Sequence, residues 1–180
     1  TPYPWGIPND IGVNLSIKIL DADNPQVTDV SNNTFAIKGS VLVVQPDGGE
    51  NWLKGTQQQI QWKPTGTYPC NVLLQYSSDG ANWTNITSLS AGSNNVVQTY
   101  NWTVPDILSD TLLIKASTLM NKTSIDVNDT SNATFKVRGS LLVTAPNGGE
   151  IWYVNDTTRQ IRWTSVGTVT PVKIEYSTDN

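Results

Sequence analysis

Apolar and polar positions alternate in short runs along this chain, and no stretch carries a helical stripe. VLVVQ (41–45), QQIQW (58–62), VLLQY (72–76), ANWTNIT (81–87), VVQTYNWTV (96–104), TLLIKAS (111–117) and ATFKVR (133–138) are rich in β-branched and aromatic residues, which suit a pleated, half-buried surface. PDGGE, KPTGT, SSDG, AGSNN, VPD and NDTSN separate them with the residues that turn a chain. No window shows the 3.6-residue period of an amphipathic helix. Strands at this spacing predict an all-β protein of immunoglobulin-like, antiparallel β-sandwich type. The Cys–Trp–Cys spacing of antibody domains is missing, so the likeness is one of architecture.

The pattern is written more than once. GSVLVVQPDGGENWL (39–53) lies over GSLLVTAPNGGEIWY (139–153), QIQW (59–62) over QIRW (160–163), and VLLQYSSDG (72–80) over VKIEYSTDN (172–180). At the other end, YPWGIP (3–8) resembles YNWTVP (100–105), and DVSNNTFAIKGS (29–40) matches DTSNATFKVRGS (129–140). The unit is therefore about 100 residues long. This predicts tandem domains: residues 1–38 as the C-terminal half of one repeat, 39–138 as a complete repeat, and 139–180 as the N-terminal half of the next. In the repeated turn, Pro46 sets the entry, the glycines allow positive φ, and Trp52 returns the chain to the core. A phosphate-binding loop would need a helix after the glycines, and a strand follows.

Half a sandwich leaves an apolar face and a sheet edge unpaired. The leading half supplies last strands (LSIKIL, NTFAIK) and the trailing half supplies first strands (LLVTA, RQIRW, VKIEY). Together they restore a domain lacking only a stretch like 81–99. Two completions are open: further covalent repeats, or residues 1–38 of a neighbouring subunit joining residues 139–180. The second is heterologous and non-closing, which builds a filament. The GS link (139–140) is tight, so neighbouring domains are expected to be stiffly coupled.

Composition narrows the function. Net charge is −4, with no basic run, which argues against a nucleic-acid partner. No stretch reaches the roughly 20 apolar residues of a membrane span. No signal peptide is visible, and TPYPWG reads as a processed, mature start. Only 14% of residues are charged, and polarity comes from Asn, Thr, Ser and Gln instead. Nine N-x-Ser/Thr sequons stand at Asn14, Asn32, Asn82, Asn85, Asn101, Asn121, Asn128, Asn132 and Asn155. Chance placement in this composition gives about 4, so the excess points to a secreted, N-glycosylated surface.

Candidate chemistry is sparse. Histidine is absent, which removes the commonest general base and zinc ligand. Cys70 is the one cysteine, so no intrachain disulfide exists; it reads as a small side chain near a strand start, with an intermolecular bridge as the alternative. Glu50 and Glu150 end the repeated turn, and a residue stamped into each repeat is a poor candidate for a unique active site. The chain reads as non-enzymatic and without a cofactor. Asp21, Asp23 and Asp29, and again Asp126 and Asp129, are spaced as oxygen ligands for calcium, and DVND resembles a cadherin-type calcium linker. Asp and Asn in the turn before the last strand is the preferred reading of these residues, with calcium as the alternative. Six of the seven tryptophans pair by repeat: Trp52 with Trp152, Trp62 with Trp163, Trp5 with Trp102. Repeated rings beside alternating apolar residues are expected in a core. Trp83 is unpaired, and with Tyr100 it is the candidate for a carbohydrate contact.

The string P-x-GGE-x-W, I-x-W, Y-x-W-x-V-P and D-x-SN-x-TF resembles the Ig-like repeat of Ser/Thr-rich GPI-anchored surface proteins and of the yeast cell-wall β-glucan-assembly family, found in tandem in large secreted microbial proteins. The resemblance spans the chain and implies an extracellular sandwich with structural or adhesive duty. The expectation is a glycosylated structural subunit of an extracellular or cell-surface filament, its partners being copies of itself. A cell-surface adhesin or carbohydrate-binding module, or an accessory domain of a secreted hydrolase, is the alternative.

Overall fold

The computed structural model describes residues 1–120 and 125–178; the sequon at Asn121 lies outside them. Every regular element among the described residues is a β-strand. The leading segment holds β1 (Gly12–Leu15), β2 (Lys18–Leu20), β3 (Thr28–Val30) and β4 (Phe35–Ile37). The central segment holds β5 (Ser40–Gln45), β6 (Asn51–Leu53), β7 (Gln57–Thr65), β8 (Asn71–Ser77), β9 (Thr84–Ser90), β10 (Gln98–Thr103), β11 (Ser109–Thr118), β12 (Asn128–Thr130) and β13 (Phe135–Arg138). The trailing segment holds β14 (Ser140–Ala145) and β15 (Arg162–Val166).

The central segment is β-sandwich-like. One sheet runs β10–β7–β5; the other runs β6–β13–β11–β8–β9, with β12 also on β11. All pairs are antiparallel except β6 with β13. Alternation decides what goes inside: along β11, Leu112, Ile114 and Ala116 are buried while the residues between them are not. Ile60 and Trp62 from the facing sheet join the same core. Trp52 packs 4.7 Å from Phe135 and 6.1 Å from Trp102, ring centre to ring centre. The Trp62 indole N–H donates to the Ala91 carbonyl at 3.0 Å, which removes the cost of burying it.

The flanking segments copy parts of this body in register. In β1–β4, Gly12 pairs with Ile37 and Leu15 with Phe35, as Ser109 pairs with Val137 and Leu112 with Phe135 in β11–β13. β2–β3 likewise copies β11–β12. In β14–β15, Val143 pairs with Trp163, as Val43 pairs with Trp62, and the same irregularity follows in both ladders.

Several elements differ from the pattern-based expectation. LSIKIL splits into β1 and β2, and ANWTNIT becomes strand only from Thr84. The delay is a turn: Asp79 accepts bonds from the amides of Ala81 and Asn82 and from the Asn82 side chain. The turn read into DVNDT holds a short strand, β12. In the trailing segment RQIRW is strand only from Arg162, and VKIEY forms no ladder, because no neighbouring strand lies beside it. The six paired tryptophans also divide. Trp52, Trp62 and Trp102 are buried, as a core reading requires, whereas Trp5, Trp152 and Trp163 are exposed on the flanking segments. The same alternation turns them inward, but nothing among the described residues covers them.

Candidate functional site

The repeated turn is built the same way twice. Glu50 accepts the backbone N–H groups of Asp47 (2.9 Å) and Gly48 (3.0 Å); Glu150 accepts those of Asn147 and Gly148, both at 2.8 Å. The amides hold the Glu150 carboxyl below its ordinary pKa. Both glutamates are thus occupied as turn caps. The central turn also has a partner. Asp47 accepts from the Asn132 backbone and side-chain amides at 2.7 and 2.9 Å, and Lys136 N–H donates to the Glu50 carbonyl. A Cβ on Gly48 would stand 2.4 Å from the Ala133 Cβ, so only glycine fits. The trailing turn has no such neighbour: a Cβ on Gly148 would meet nothing within 4 Å.

A second constellation recurs where segments meet. At the first joint, the Asn9 side chain donates to Thr67 Oγ1 (2.9 Å) and accepts from the Thr67 amide (2.8 Å). At the second, Asp106 accepts from the Thr168 amide (3.1 Å) and hydroxyl (2.8 Å). These two bonds, with a smaller contribution from Lys54, hold the Asp106 carboxyl below its ordinary pKa. Ile11 at the first joint and Leu108 at the second press on the glycine pairs Gly39/Gly66 and Gly139/Gly167. A Cβ at Gly39 would lie 2.1 Å from the Thr65 carbonyl oxygen, and one at Gly139 would lie 2.5 Å from that of Val166. The link glycine is therefore what allows the close approach.

The third feature is a pair of open apolar faces. Leu141, Val143, Trp152, Ile161, Trp163 and Ile174 line a cavity of about 350 Å³ in the trailing segment. Their central counterparts Val41, Val43, Trp52, Ile60, Trp62 and Leu74 are all buried. In the leading segment Trp5, Ile7, Ile17 and Ile19 are exposed, where Trp102, Val104, Ile114 and Ala116 are buried. Trp5 rests edge-on against Phe35 at 6.3 Å.

The sequence-read sites fall elsewhere. The sequon asparagines Asn14, Asn32, Asn82, Asn85, Asn101, Asn128, Asn132 and Asn155 are all solvent-exposed. Asn14 and Asn155 adopt positive φ, a conformation Asn tolerates in turns. Asn82 and Asn132 also donate side-chain bonds to Asp79 and Asp47. Trp83 is half-buried, with the Lys115 ammonium 4.0 Å above its ring. Tyr100 lies on β10, in the other sheet, against the core, so the two aromatics are not brought together. Asp21 accepts from the amides of Asp23 and Asn24, Asp126 from Met120, and Asp129 from Val43. Among the described residues no three acidic or other ligating side chains gather into a metal site. Cys70 precedes β8, half-buried, and burial raises its thiol pKa. No helix among the described residues is long and apolar enough to cross a membrane.

Reasoning from the sequence missed both the glutamate cap and the joint clamp. The repeat overlay held the signal for each, since Glu50 lies over Glu150, and Pro8-Asn9 over Pro105-Asp106. No protein-family model matches the chain, and no curated protein matches it.

Proposed function

We propose that the protein is a structural subunit of an extracellular or cell-surface filament, made of tandem immunoglobulin-like sandwiches and N-glycosylated on its exposed asparagines. The observation that carries this reading is the joint that occurs twice at matching positions, with Asn9 clamped on Thr67 and Asp106 on Thr168. A joint repeated at matching positions applies a similar rotation and rise at each step, and where such a step does not close it generates a thread. The short link, with β13 ending at Arg138 and β14 starting at Ser140, suits a stiff one. The resemblance to the repeat of secreted surface proteins supports the same place and duty. Exposed sequons fit a chain whose charged fraction is low, because glycans hydrate a surface that charge does not. The Lys115 ammonium over Trp83 weighs against a free sugar platform there.

Electron microscopy of the secreted material tests the proposal: unbranched threads of evenly spaced beads are expected, and isolated compact particles would overturn it. Glycosylation is tested separately, by the mass lost on enzymatic removal of N-glycans and by mapping the modified asparagines. An unchanged mass would refute the glycan part alone.

A further inference from the structure

We infer that the open trailing face of one copy is completed by the leading segment of a second copy, in the register that the central body displays; this rests on the filament reading and specifies its contact. The two faces are the two halves of one sandwich. Residues 3–37 repeat the strands that the central body builds from 100–137, and residues 140–176 repeat those it builds from 40–76. The central contacts therefore give the intermolecular ones. Val137 lies beside Trp52 in the parallel β13–β6 pair, which places Ile37 beside Trp152 of the next copy. The rings of Trp52, Phe135 and Trp102 pack together, which places Phe35 and Trp5 on the ring of Trp152. Asp129 accepts the Val43 amide at 2.8 Å, which assigns Asp29 to the Val143 amide. The open side of the Gly148 turn receives Asn33, as Gly48 receives Ala133.

The leading segment carries larger side chains than its central counterpart at three inward positions: Ile19 replaces Ala116, Ile7 replaces Val104 and Ile37 replaces Val137. Neither flanking segment within the chain repeats residues 81–99. Their strand, β9, is at a sheet edge, so its absence narrows the completed sheet; Ala91, which follows β9 and accepts the Trp62 indole N–H in the central core, has no counterpart in either flanking segment.

Geometry makes the pairing intermolecular. The first joint is at the C-terminal end of β7, next to Thr65. The second follows β10, whose Thr103 pairs with Gln57 at the other end of β7. The two faces of one copy are separated by the length of that nine-residue strand, about 30 Å. One copy therefore cannot close on itself, and head-to-tail pairing runs from copy to copy, as a filament wherever the rotation does not close a ring.

Sedimentation velocity of the full chain tests the inference. The unmodified chain is expected to form a concentration-dependent ladder of oligomers. Phe35→Asp blocks only the leading face and Trp152→Asp only the trailing one, so each alone stays monomeric. Their equimolar mixture forms a dimer and nothing longer. An unchanged melting transition of the central body shows that each variant is folded. Register is read by disulfide formation in a Cys70→Ser background. Ala36→Cys mixed with Ile151→Cys copies the Lys136–Asn51 neighbours and is expected to cross-link, whereas Leu20→Cys mixed with Ile151→Cys is not. Blocked variants that still polymerise, cross-linking no greater than in the Leu20 control, or an unmodified chain that stays monomeric would each overturn this contact. Threads seen by microscopy alongside any of those results would leave the filament reading standing; their absence defeats the filament reading itself.

Discussion

Trp52→Ala and Trp152→Ala change the same repeat position in two environments. Trp52 is 5% exposed and wedged between Phe135 and Trp102; Trp152 is 40% exposed. Truncating a ring that buries roughly 150–250 Å² removes about 4–6 kcal/mol at ~25 cal/mol per Å². Measured Trp→Ala changes in cores cost about 3–5 kcal/mol, so about 4 kcal/mol is a fair expectation. For a body of about 100 residues, each kcal/mol moves the melting temperature by roughly 4–8 °C. Trp52→Ala is then expected to lower the central transition by about 15–30 °C. Trp152 lies in the separate trailing face, so its loss leaves that transition within about 2 °C in dilute, unassembled protein. Its cost falls on assembly instead. Differential scanning calorimetry of both variants, dilute and concentrated, reads the two effects apart. The reasoning is refuted if Trp152→Ala lowers the central transition as far as Trp52→Ala does, or if Trp52→Ala moves it by less than about 5 °C.

Other substitutions probe the caps and the joints. Glu50→Ala strips both acceptors from the central turn and is expected to cost about 1–3 kcal/mol by denaturant titration, while Glu150→Ala spares the central body. Asp129→Ala leaves the Val43 amide without its partner and is expected to cost a similar amount, about 1–3 kcal/mol, in the same titration. The second joint is expected to respond to acid and the first is not. Asp106 has its pKa lowered by docking on Thr168, so its contribution is full above the ordinary carboxylate range and is lost as pH falls through the lowered value. Asn9 does not titrate. Small-angle scattering should show the second joint loosening in acid, and Asp106→Asn should remove that dependence.

The alternation of side chains made most of the central strands legible. β5, β7, β8 and β11 fall on the runs that predict them, with ends shifted by a residue or a few. β6 and β12 are three residues each, too short for a period to register, and they exist because β13 and β11 lie beside them. The same dependence explains VKIEY. Its pattern matches that of β8, yet a strand needs a neighbouring strand, and the trailing segment has none there. Burial follows the same rule. Local pattern turns Trp163 inward as it does Trp62, but whether the face is covered depends on distant residues. The joint clamps were hidden for a related reason: Asn9 and Thr67 are 58 positions apart, and Asp106 and Thr168 are 62. No local motif announces such a pair, and only the comparison of two joints singles it out.

The most direct test of the filament proposal is cryo-electron microscopy of the native material at a resolution that separates individual beads. Unbranched threads are expected, in which each bead meets the next at one constant angle, with density projecting at the exposed sequons. Particles of fixed size, or beads joined at freely varying angles, would contradict it.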